Sequence, residues 1–179
     1  PPLPPAVVLL GDVNGDGIDD ILIGAPGTDP AISGDAAVIL GQRGPAPVRV
    51  ELDGSYSDDV FPIFSSASDD RGVGYALSSI GDFNGDGIDD VIIGASTSDY
   101  SGYSYAGKAF VLFGADDADD RDDIDLAALQ TNEGIQIAAY YSNGYLGEDV
   151  VGIGDINGDG LDDILVGAPG YSFYDPVLF

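Results

Sequence analysis

Oxygen-bearing side chains recur in this chain at a fixed spacing that suits the binding of a hard cation. Residues 12–20 carry them at the first, third, fifth and ninth positions, and residues 82–90 and 155–163 repeat the pattern. We name these stretches the first, second and third acidic loops. Ca²⁺ takes about six to eight oxygen ligands, including carboxylates, amides and backbone carbonyls. The glycine at the sixth position of each loop permits the sharp turn that directs such groups at one centre.

The pattern predicts three structural calcium sites, each built from three carboxylates, one amide oxygen and the carbonyl of the seventh residue. Plain Asn-Gly or Asp-Gly turns between strands are the alternative. Crowded carboxylates repel one another without a cation, which favours the metal. The predicted ligands are Asp12, Asn14, Asp16, the Ile18 carbonyl and Asp20; Asp82, Asn84, Asp86, the Ile88 carbonyl and Asp90; and Asp155, Asn157, Asp159, the Leu161 carbonyl and Asp163.

Short apolar runs flank every acidic loop and must position it. The runs that follow the loops are rich in Ile, Val and Leu and end in Gly-Ala-Pro or Gly-Ala-Ser. Such runs predict strands buried on both faces, so each loop should join two neighbouring strands. An EF-hand loop would lie between helices and usually close with a Glu at its twelfth position. Here the twelfth positions are Ile23, Ile93 and Val166.

Loops of this kind followed by Gly-Ala-Pro resemble the FG-GAP repeat, the calcium-binding blade of integrin alpha-subunit propellers. The Gly-Ala-Pro half stands at residues 24–26 and 167–169, and reads Gly-Ala-Ser at 94–96. Val73-Gly74 and Leu146-Gly147 stand where the family usually has Phe-Gly. The resemblance implies an all-β fold of β-propeller blades, which are four-stranded antiparallel sheets. It also implies about two and a half FG-GAP-type repeats, with calcium loops between strands one and two.

The repeat spacing predicts a linker and three units. Asp12 and Asp82 are 70 residues apart, which is the scale of one four-stranded blade. The predicted units are a linker at 1–5, a first blade at 6–72, a second at 73–145 and a partial third at 146–179. The predicted strands are 6–10, 21–25, 36–40 and 48–52, followed by a loop over 53–72; 75–80, 91–95, 108–113 and one within 124–139; then 150–153, one starting at 164, and a possible one at 176–179.

The number of repeats is too small for a closed ring. Propellers close with about four to eight blades, so at this spacing the smallest needs about 280 residues. We therefore expect further blades, from the same polypeptide or from neighbouring chains that cover the open sheet edges.

Composition excludes several classes of function. The chain has 179 residues, a net charge of −27, and no Cys or His. Strong acidity argues against nucleic acid or an anionic membrane as partner, and no apolar run is long enough for membrane insertion. The lack of His and Cys removes the usual base and thiol nucleophile, so we expect no enzyme. A carboxylate-based glycan-active domain is the remaining catalytic alternative.

Tyrosines gather in the loops expected at the end opposite the acidic loops. They suit recognition of a protein or glycan ligand, although the rings could instead pack those loops against the sheets. The acidic run 116–123 should lie at the acidic-loop end, either as a solvated loop or as a further cation site. The tyrosines are Tyr100, Tyr103 and Tyr105; Tyr140, Tyr141 and Tyr145; and Tyr171 and Tyr174.

These patterns favour a secreted calcium-binding β-propeller module of the cell surface, used for adhesion or for protein or glycan binding. Weak calcium modules work at concentrations found outside cells. The alternative is a structural subunit of an extracellular filament or layer, assembled by sharing blades or strands between chains.

Overall fold

The structure is a computed structural model, and it describes residues 6–26, 34–44, 60–116 and 123–171. In these ranges the chain forms eleven short β-strands and one turn of 3₁₀ helix, at Leu126–Ala128. The strands are β1 (Ala6–Leu9), β2 (Ile21–Ala25), β3 (Asp35–Ile39), β4 (Val60–Phe64), β5 (Ala76–Gly81), β6 (Asp90–Ala95), β7 (Lys108–Leu112), β8 (Ile124–Asp125), β9 (Gly134–Ala138), β10 (Val150–Gly154) and β11 (Asp163–Val166).

Three sheets follow one another along the chain. The first has the order β1-β2-β3-β4-β8, the second β5-β6-β7-β9, and the third β10-β11. All pairs are antiparallel except β4 with β8. Each acidic loop joins the first two strands of its sheet, as predicted. The all-β blade architecture is thereby confirmed.

The predicted strands agree with the observed ones except in the region before the second sheet. The loop predicted over 53–72 is wrong where it includes β4, which pairs with β3. Pro62 lies inside β4, and proline is unusual within a sheet. The run still forms a strand because Val60, Phe61 and Ile63 bury their side chains. The strands predicted at 48–52 and 176–179 lie outside the described residues.

A short strand of the predicted second blade joins the first sheet instead. β8 pairs in parallel with the end of β4, with Ile63 opposite Ile124. The fourth strand of the second sheet is β9, which lies within the predicted range 124–139. The unit boundaries at 72/73 and 145/146 remain predictions.

Apolar side chains fill the two spaces between consecutive sheets. Leu22 and Ile63 of the first sheet meet Ile93 and Phe110 of the second, and all four are fully buried. On the other face of the second sheet, Ile92 belongs to a second cluster that includes residues of β10 and β11. The second sheet is thus covered on both faces. No helix among the described residues has the length and apolar character needed to cross a membrane.

Candidate metal loops and the tyrosine end

The first-position aspartate of each acidic loop accepts backbone hydrogen bonds from the turn that follows it. The Asp12 carboxylate accepts from the N–H of Asp16 at 2.9 Å and of Gly17 at 2.7 Å. The second and third loops repeat the arrangement: Asp86 and Gly87 donate to Asp82 at 3.0 and 2.9 Å, and Asp159 and Gly160 donate to Asp155 at 3.2 and 2.9 Å.

Glycines at the fourth and sixth positions permit this turn. Gly15 and Gly17 have φ of +75° and +83°, in the left-handed region that favours glycine. The corresponding pairs of the other two loops have φ between +80° and +93°. All three loops therefore share one backbone conformation, which non-glycine residues rarely adopt.

Side chains at the third and fifth positions turn into the same loop. The Asn14 amide oxygen accepts from the Asp16 N–H at 3.2 Å, and the Asp16 carboxylate accepts from the Ile18 N–H at 2.7 Å. The same two backbone hydrogen bonds occur in the second loop, where Asn84 and Asp86 accept them, and in the third loop, where Asn157 and Asp159 accept them. The predicted ligands at the first, third and fifth positions of each loop therefore line one turn.

The ninth-position aspartates lie at the base of the loops. Asp20 and Asp90 are fully buried. Asp20 accepts from the N–H of Val13 at 2.9 Å and of Gly41 at 2.8 Å, so it connects its loop to the residues after β3. Asp90 makes the equivalent contact with Gly114, after β7, at 2.8 Å. Asp163 is only partly buried and accepts from the Ile156 N–H at 3.0 Å.

Burial changes the protonation equilibria of these groups. It raises the pKa of Asp90 to about 6 and raises the pKa of Asp20, outweighing in each case the backbone hydrogen bonds that lower it. By contrast, hydrogen bonds from Gly160 and Gly158 lower the pKa of the exposed Asp155. The ion pairs of the described residues involve neither Asp20 nor Asp90. Buried charges are normally paired or bound to metal, so Asp20 and Asp90 are the carboxylates for which the predicted cation would matter most.

The donor set fits a hard cation. No group of three or more carboxylates among the described residues forms a ready-made metal cluster, because the loop oxygens face the backbone N–H groups of their own turn. An ionised carboxylate has about four acceptor sites, so each retains capacity for an ion. Three carboxylates, an amide oxygen and the predicted seventh-position carbonyl are all oxygen donors, as Ca²⁺ requires. The calcium sites remain a prediction.

The eighth position of the loops has a role that the sequence patterns did not reveal. The Asp89 carboxylate accepts from the N–H of Asp12, and the Asp162 carboxylate accepts from the N–H of Asp82 at 3.1 Å. The second and third loops are each thereby bound to the loop before them. The sequence did contain a signal for this contact. An aspartate stands at the eighth position of all three loops, where the predicted calcium site does not use it as a ligand.

We call the opposite end of the sheets the tyrosine end; it is formed by residues 96–107, 139–149 and 167–171. Tyrosines from separate loops contact one another there, and Tyr140 is 66% and Tyr171 48% exposed. The predicted gathering of these residues is confirmed for the described ones, and Tyr174 lies outside them. The ring pairs, by centroid distance, are Tyr100–Tyr140 at 5.2 Å, Tyr141–Tyr171 at 5.5 Å, Tyr105–Tyr145 at 6.1 Å and Tyr103–Tyr140 at 6.3 Å.

A buried ion pair lies beneath these rings. Lys108, the single lysine of the chain, is almost fully buried and pairs with the buried carboxylate of Asp70. The Ser65 hydroxyl donates to the same carboxylate, and the Lys108 Nζ lies 5.4 Å from the centre of the Tyr100 ring. The sequence did contain a signal for this pair, because the single lysine of the chain begins an apolar run. The sequence analysis above did not consider it.

The acidic run 116–123 begins at the acidic-loop end, as expected. The Ala115 N–H donates to the Val13 carbonyl of the first loop at 3.0 Å, and a side chain at Gly15 would contact Asp116. Residues 117–122 lie outside the described ranges, so its role as a cation site stays a prediction.

Comparison with known proteins gives one family match and several relatives. The family model described as FG-GAP repeat matches residues 5–39, 73–112 and 149–176. Integrin alpha-5 of Xenopus laevis is 28% identical over 160 residues, covering 89% of this chain and 14% of the relative. Human integrin alpha-6 is 29% identical over 164 residues, covering 90% and 12% respectively.

A relative of a different type also matches. Phosphatidylinositol-glycan-specific phospholipase D of Bos taurus is 33% identical over 161 residues, covering 88% of this chain and 18% of that protein. The chain therefore spans less than a fifth of the length of each of these relatives.

Proposed function

We propose, because the chain belongs to the FG-GAP repeat family, that it is a calcium-stabilised β-propeller module of the extracellular space or cell surface. The observation that carries the proposal is the pair of fully buried carboxylates, Asp20 and Asp90, at the base of loops rich in oxygen donors. Neither carboxylate forms an ion pair with a basic side chain of the described residues. A divalent cation would offset the charge that burial makes unfavourable.

The side chains of each loop would together bind one ion, each from a different position. The first, third and fifth side chains line the exposed turn, where they would replace water around the cation. The ninth carboxylate would hold the ion against the sheet, since its hydrogen bonds already fix it to the residues after the third strand. Bound calcium supplies positive charge that relieves the repulsion among the carboxylates. The loop then keeps the two strands in register.

We infer that the tyrosine end is the binding surface for a protein or glycan ligand. Exposed tyrosines offer apolar area and a hydroxyl at low entropic cost, which suits recognition. Tyr105 and Tyr145 both have φ of +52°, a strained conformation for a large side chain, and such strain is often found at functional sites. The rings also pack in pairs, so the surface is held in a fixed shape before any ligand arrives.

We further propose that the module is not an enzyme and that it works in a calcium-rich compartment. The chain has no His or Cys, and of its three glutamates Glu133 accepts a hydrogen bond from the Gln130 N–H at 2.9 Å within its own turn. The phospholipase D relative is named for an activity, but the match covers only 18% of that protein. Weak calcium modules work at roughly 10⁻⁴ to 10⁻³ M calcium, which favours a location outside the cell.

Thermal unfolding tests the calcium part of this proposal. The chain is treated with a chelator, dialysed, and heated with chelator, with Mg²⁺ or with Ca²⁺ while circular dichroism follows the strands. We expect Tm to rise with calcium concentration and to respond far less to Mg²⁺, which requires a more rigid octahedral site. Equal Tm values under all three conditions would contradict the proposal.

A glycan and protein panel tests the tyrosine end. The calcium-loaded chain is compared with Tyr140→Ser and Tyr171→Ser for binding to immobilised oligosaccharides and matrix proteins. We expect the substitutions to weaken binding with only a small loss of Tm, because both rings are substantially exposed and each gives up only its ring contacts. Unchanged binding in both variants would place the ligand elsewhere.

A further inference from the structure

A cavity of about 350 Å³ opens at the tyrosine end, between the second and third repeats. Its lining residues are Tyr75, which precedes β5; Ser96 and Thr97, which follow β6; and Tyr145 and Glu148, which precede β10. A volume of this size lies within the range of about 300–1,000 Å³ that is usual for small-ligand sites. The cavity combines two phenol rings, two aliphatic hydroxyls and one carboxylate.

The fold leaves the polar groups of this cavity available to a ligand. Three serines of the described residues are buried, and the hydroxyls of two of them, Ser65 and Ser98, donate hydrogen bonds within the protein. Ser96 is only 3% exposed, yet its hydroxyl makes no hydrogen bond to another of the described residues. In the same part of the chain, the Thr97 hydroxyl and the Glu148 carboxylate also make no hydrogen bond or ion pair. Buried polar groups normally have a partner, so a ligand would complete this set.

The same side chains depart from the repeat pattern. Ser96-Thr97 stands where the other two repeats have Pro-Gly, at residues 26–27 and 169–170. Tyr145 and Glu148 stand where the second repeat has a glycine and a tyrosine, at positions 72 and 75. The repeat pattern alone therefore does not supply the two hydroxyls and the carboxylate of this cavity.

Backbone contacts hold both sides of the cavity in place. On one side, the Glu148 N–H donates to the Tyr145 carbonyl at 3.2 Å. On the other side, the Tyr75 N–H donates to the Gly72 carbonyl at 3.1 Å. The Thr97 hydroxyl lies against the same glycine, where a Cβ would be 2.6 Å from the Thr97 Oγ1. Groups fixed in this way lose little further freedom when a ligand binds.

The mixture of donors and acceptors indicates a hydroxylated ligand. Serine and threonine hydroxyls both donate and accept, whereas a carboxylate only accepts. Sugar hydroxyls also donate and accept, so one sugar ring can satisfy the whole set. The C–H groups of a sugar face carry a small positive charge and pack well on the negative face of a tyrosine ring. A cationic side chain only donates, so it would leave the protons of the cavity hydroxyls without an acceptor.

Charge narrows the class of sugar. Glu148 is followed by Asp149, and the chain has a net charge of −27. This negative field opposes the approach of an anionic ligand, such as a uronic acid or a sulfated sugar. The cavity therefore suits an uncharged sugar.

We propose that this cavity binds one neutral sugar ring of a glycan. The ring would pack its C–H face on the tyrosines and share its hydroxyls with Ser96, Thr97 and Glu148. This inference rests on the binding role proposed above for the tyrosine end, and it selects a glycan as the ligand. Because the sugar is uncharged, its binding should not depend on salt, whereas salt screening would weaken the binding of a cation.

Calorimetric titration of the calcium-loaded chain at low and high salt tests the ligand class. The neutral probes are maltotriose, mannotriose, xylotriose, galactobiose and chitotriose; glucosamine trimer is the cationic comparison, and trigalacturonic acid the anionic one. We expect at least one neutral probe to bind with a Kd that does not depend on salt. Saturation-transfer NMR should show transfer from the aromatic protons to the C–H protons of one sugar ring.

Variants of the cavity test the site with the probe that binds. Glu148→Gln replaces a charge-assisted hydrogen bond with a neutral one and should raise Kd about tenfold. Ser96→Ala should raise Kd about two- to tenfold, the effect of one neutral hydrogen bond. The matched control is Ser142→Ala, which removes an exposed hydroxyl of the tyrosine end outside the cavity and should bind like the wild type.

Three results would overturn the glycan site: no binding of any neutral probe, binding of charged probes only, or neutral binding that Glu148→Gln and Ser96→Ala both leave unchanged. A chain that binds a matrix protein through Tyr140 and Tyr171 but binds no sugar would refute the glycan site alone and leave the binding role of the tyrosine end intact. The cavity uses no side chain assigned to calcium. The calcium-dependent Tm of the same samples therefore reports calcium stabilisation separately.

Discussion

The carboxylate of Asp89 accepts a 3.0 Å hydrogen bond from the backbone N–H of Asp12, and the Asp89 N–H donates to the Asp12 carbonyl at 3.3 Å. One residue of the second acidic loop therefore holds the first residue of the first loop in place. Asp162 and Asp82 repeat the relationship one sheet further along. Order in one loop is consequently coupled to order in its neighbour.

Removing this contact should destabilise the chain. We expect Asp89→Ala to lower the free energy of unfolding by about 1.5–3 kcal/mol, the range for hydrogen bonds that involve a charged group. Asp19→Ala, the same change at the exposed position of the first loop, should have little effect on the dilute chain. Urea denaturation in saturating calcium measures both. If Asp89→Ala and Asp19→Ala lowered the free energy of unfolding equally, the contact between the loops would contribute nothing to stability.

Close backbone packing between repeats predicts an asymmetric response to a single methyl group. Gly94→Ala would place a Cβ 2.1 Å from the Gly147 carbonyl oxygen, and we expect a loss of at least about 1–3 kcal/mol from overpacking. Gly167→Ala is the matched control, because its nearest neighbour is 3.4 Å away. Denaturant midpoints of the two variants provide the comparison. Equal tolerance of alanine would contradict the packing described.

The buried pair of Lys108 and Asp70 predicts strong non-additivity. Lys108→Met leaves an uncompensated buried carboxylate, which should cost about 3–5 kcal/mol. Adding Asp70→Leu removes that charge and should recover much of the loss, since paired buried charges are often replaceable by apolar residues. A double-mutant cycle by urea unfolding measures the coupling. Simple additivity of the two single changes would refute a direct pair.

A single acidic loop can be disabled without disturbing the core. Asp86 is an exposed fifth-position residue, so Asp86→Ala should barely change the stability of the chelator-treated chain. At a calcium concentration 100 times Kd, its free energy of unfolding should be about 2.7 kcal/mol lower than that of the wild type. This is the contribution of one bound ion under the linkage relation. Glu148→Ala removes one exposed carboxylate outside the loops and outside the acidic run, and serves as control. A full calcium response in Asp86→Ala would exclude the second loop as a site.

Local sequence signals predicted most of the strands and the conformation of the loops. The glycines at the sixth position indicated a turn that the φ values confirm, and apolar runs indicated β2, β6 and β7. Prediction was wrong at β4, because Pro62 and the neighbouring polar residues favoured a loop. Tertiary burial of Phe61 and Ile63 outweighs that local preference.

Contacts between repeats could not be predicted from local patterns. The role of Asp89 depends on a residue 77 positions earlier in the chain, and the pairing of Lys108 with Asp70 spans 38 positions. Periodicity places a residue on one face of its own strand but does not indicate which side chain of another sheet it meets. The parallel pairing of β8 with β4 was missed for the same reason.

Calcium stoichiometry tests the central claim most directly. The chelator-treated chain is titrated with Ca²⁺ by isothermal calorimetry, and bound calcium is counted independently by elemental analysis after dialysis against a calcium concentration above Kd. The three acidic loops predict three ions per chain, falling to two in Asp86→Ala and remaining three in Glu148→Ala. A chain that binds no calcium, or a count that Asp86→Ala leaves unchanged, would contradict the assignment of these loops as metal sites.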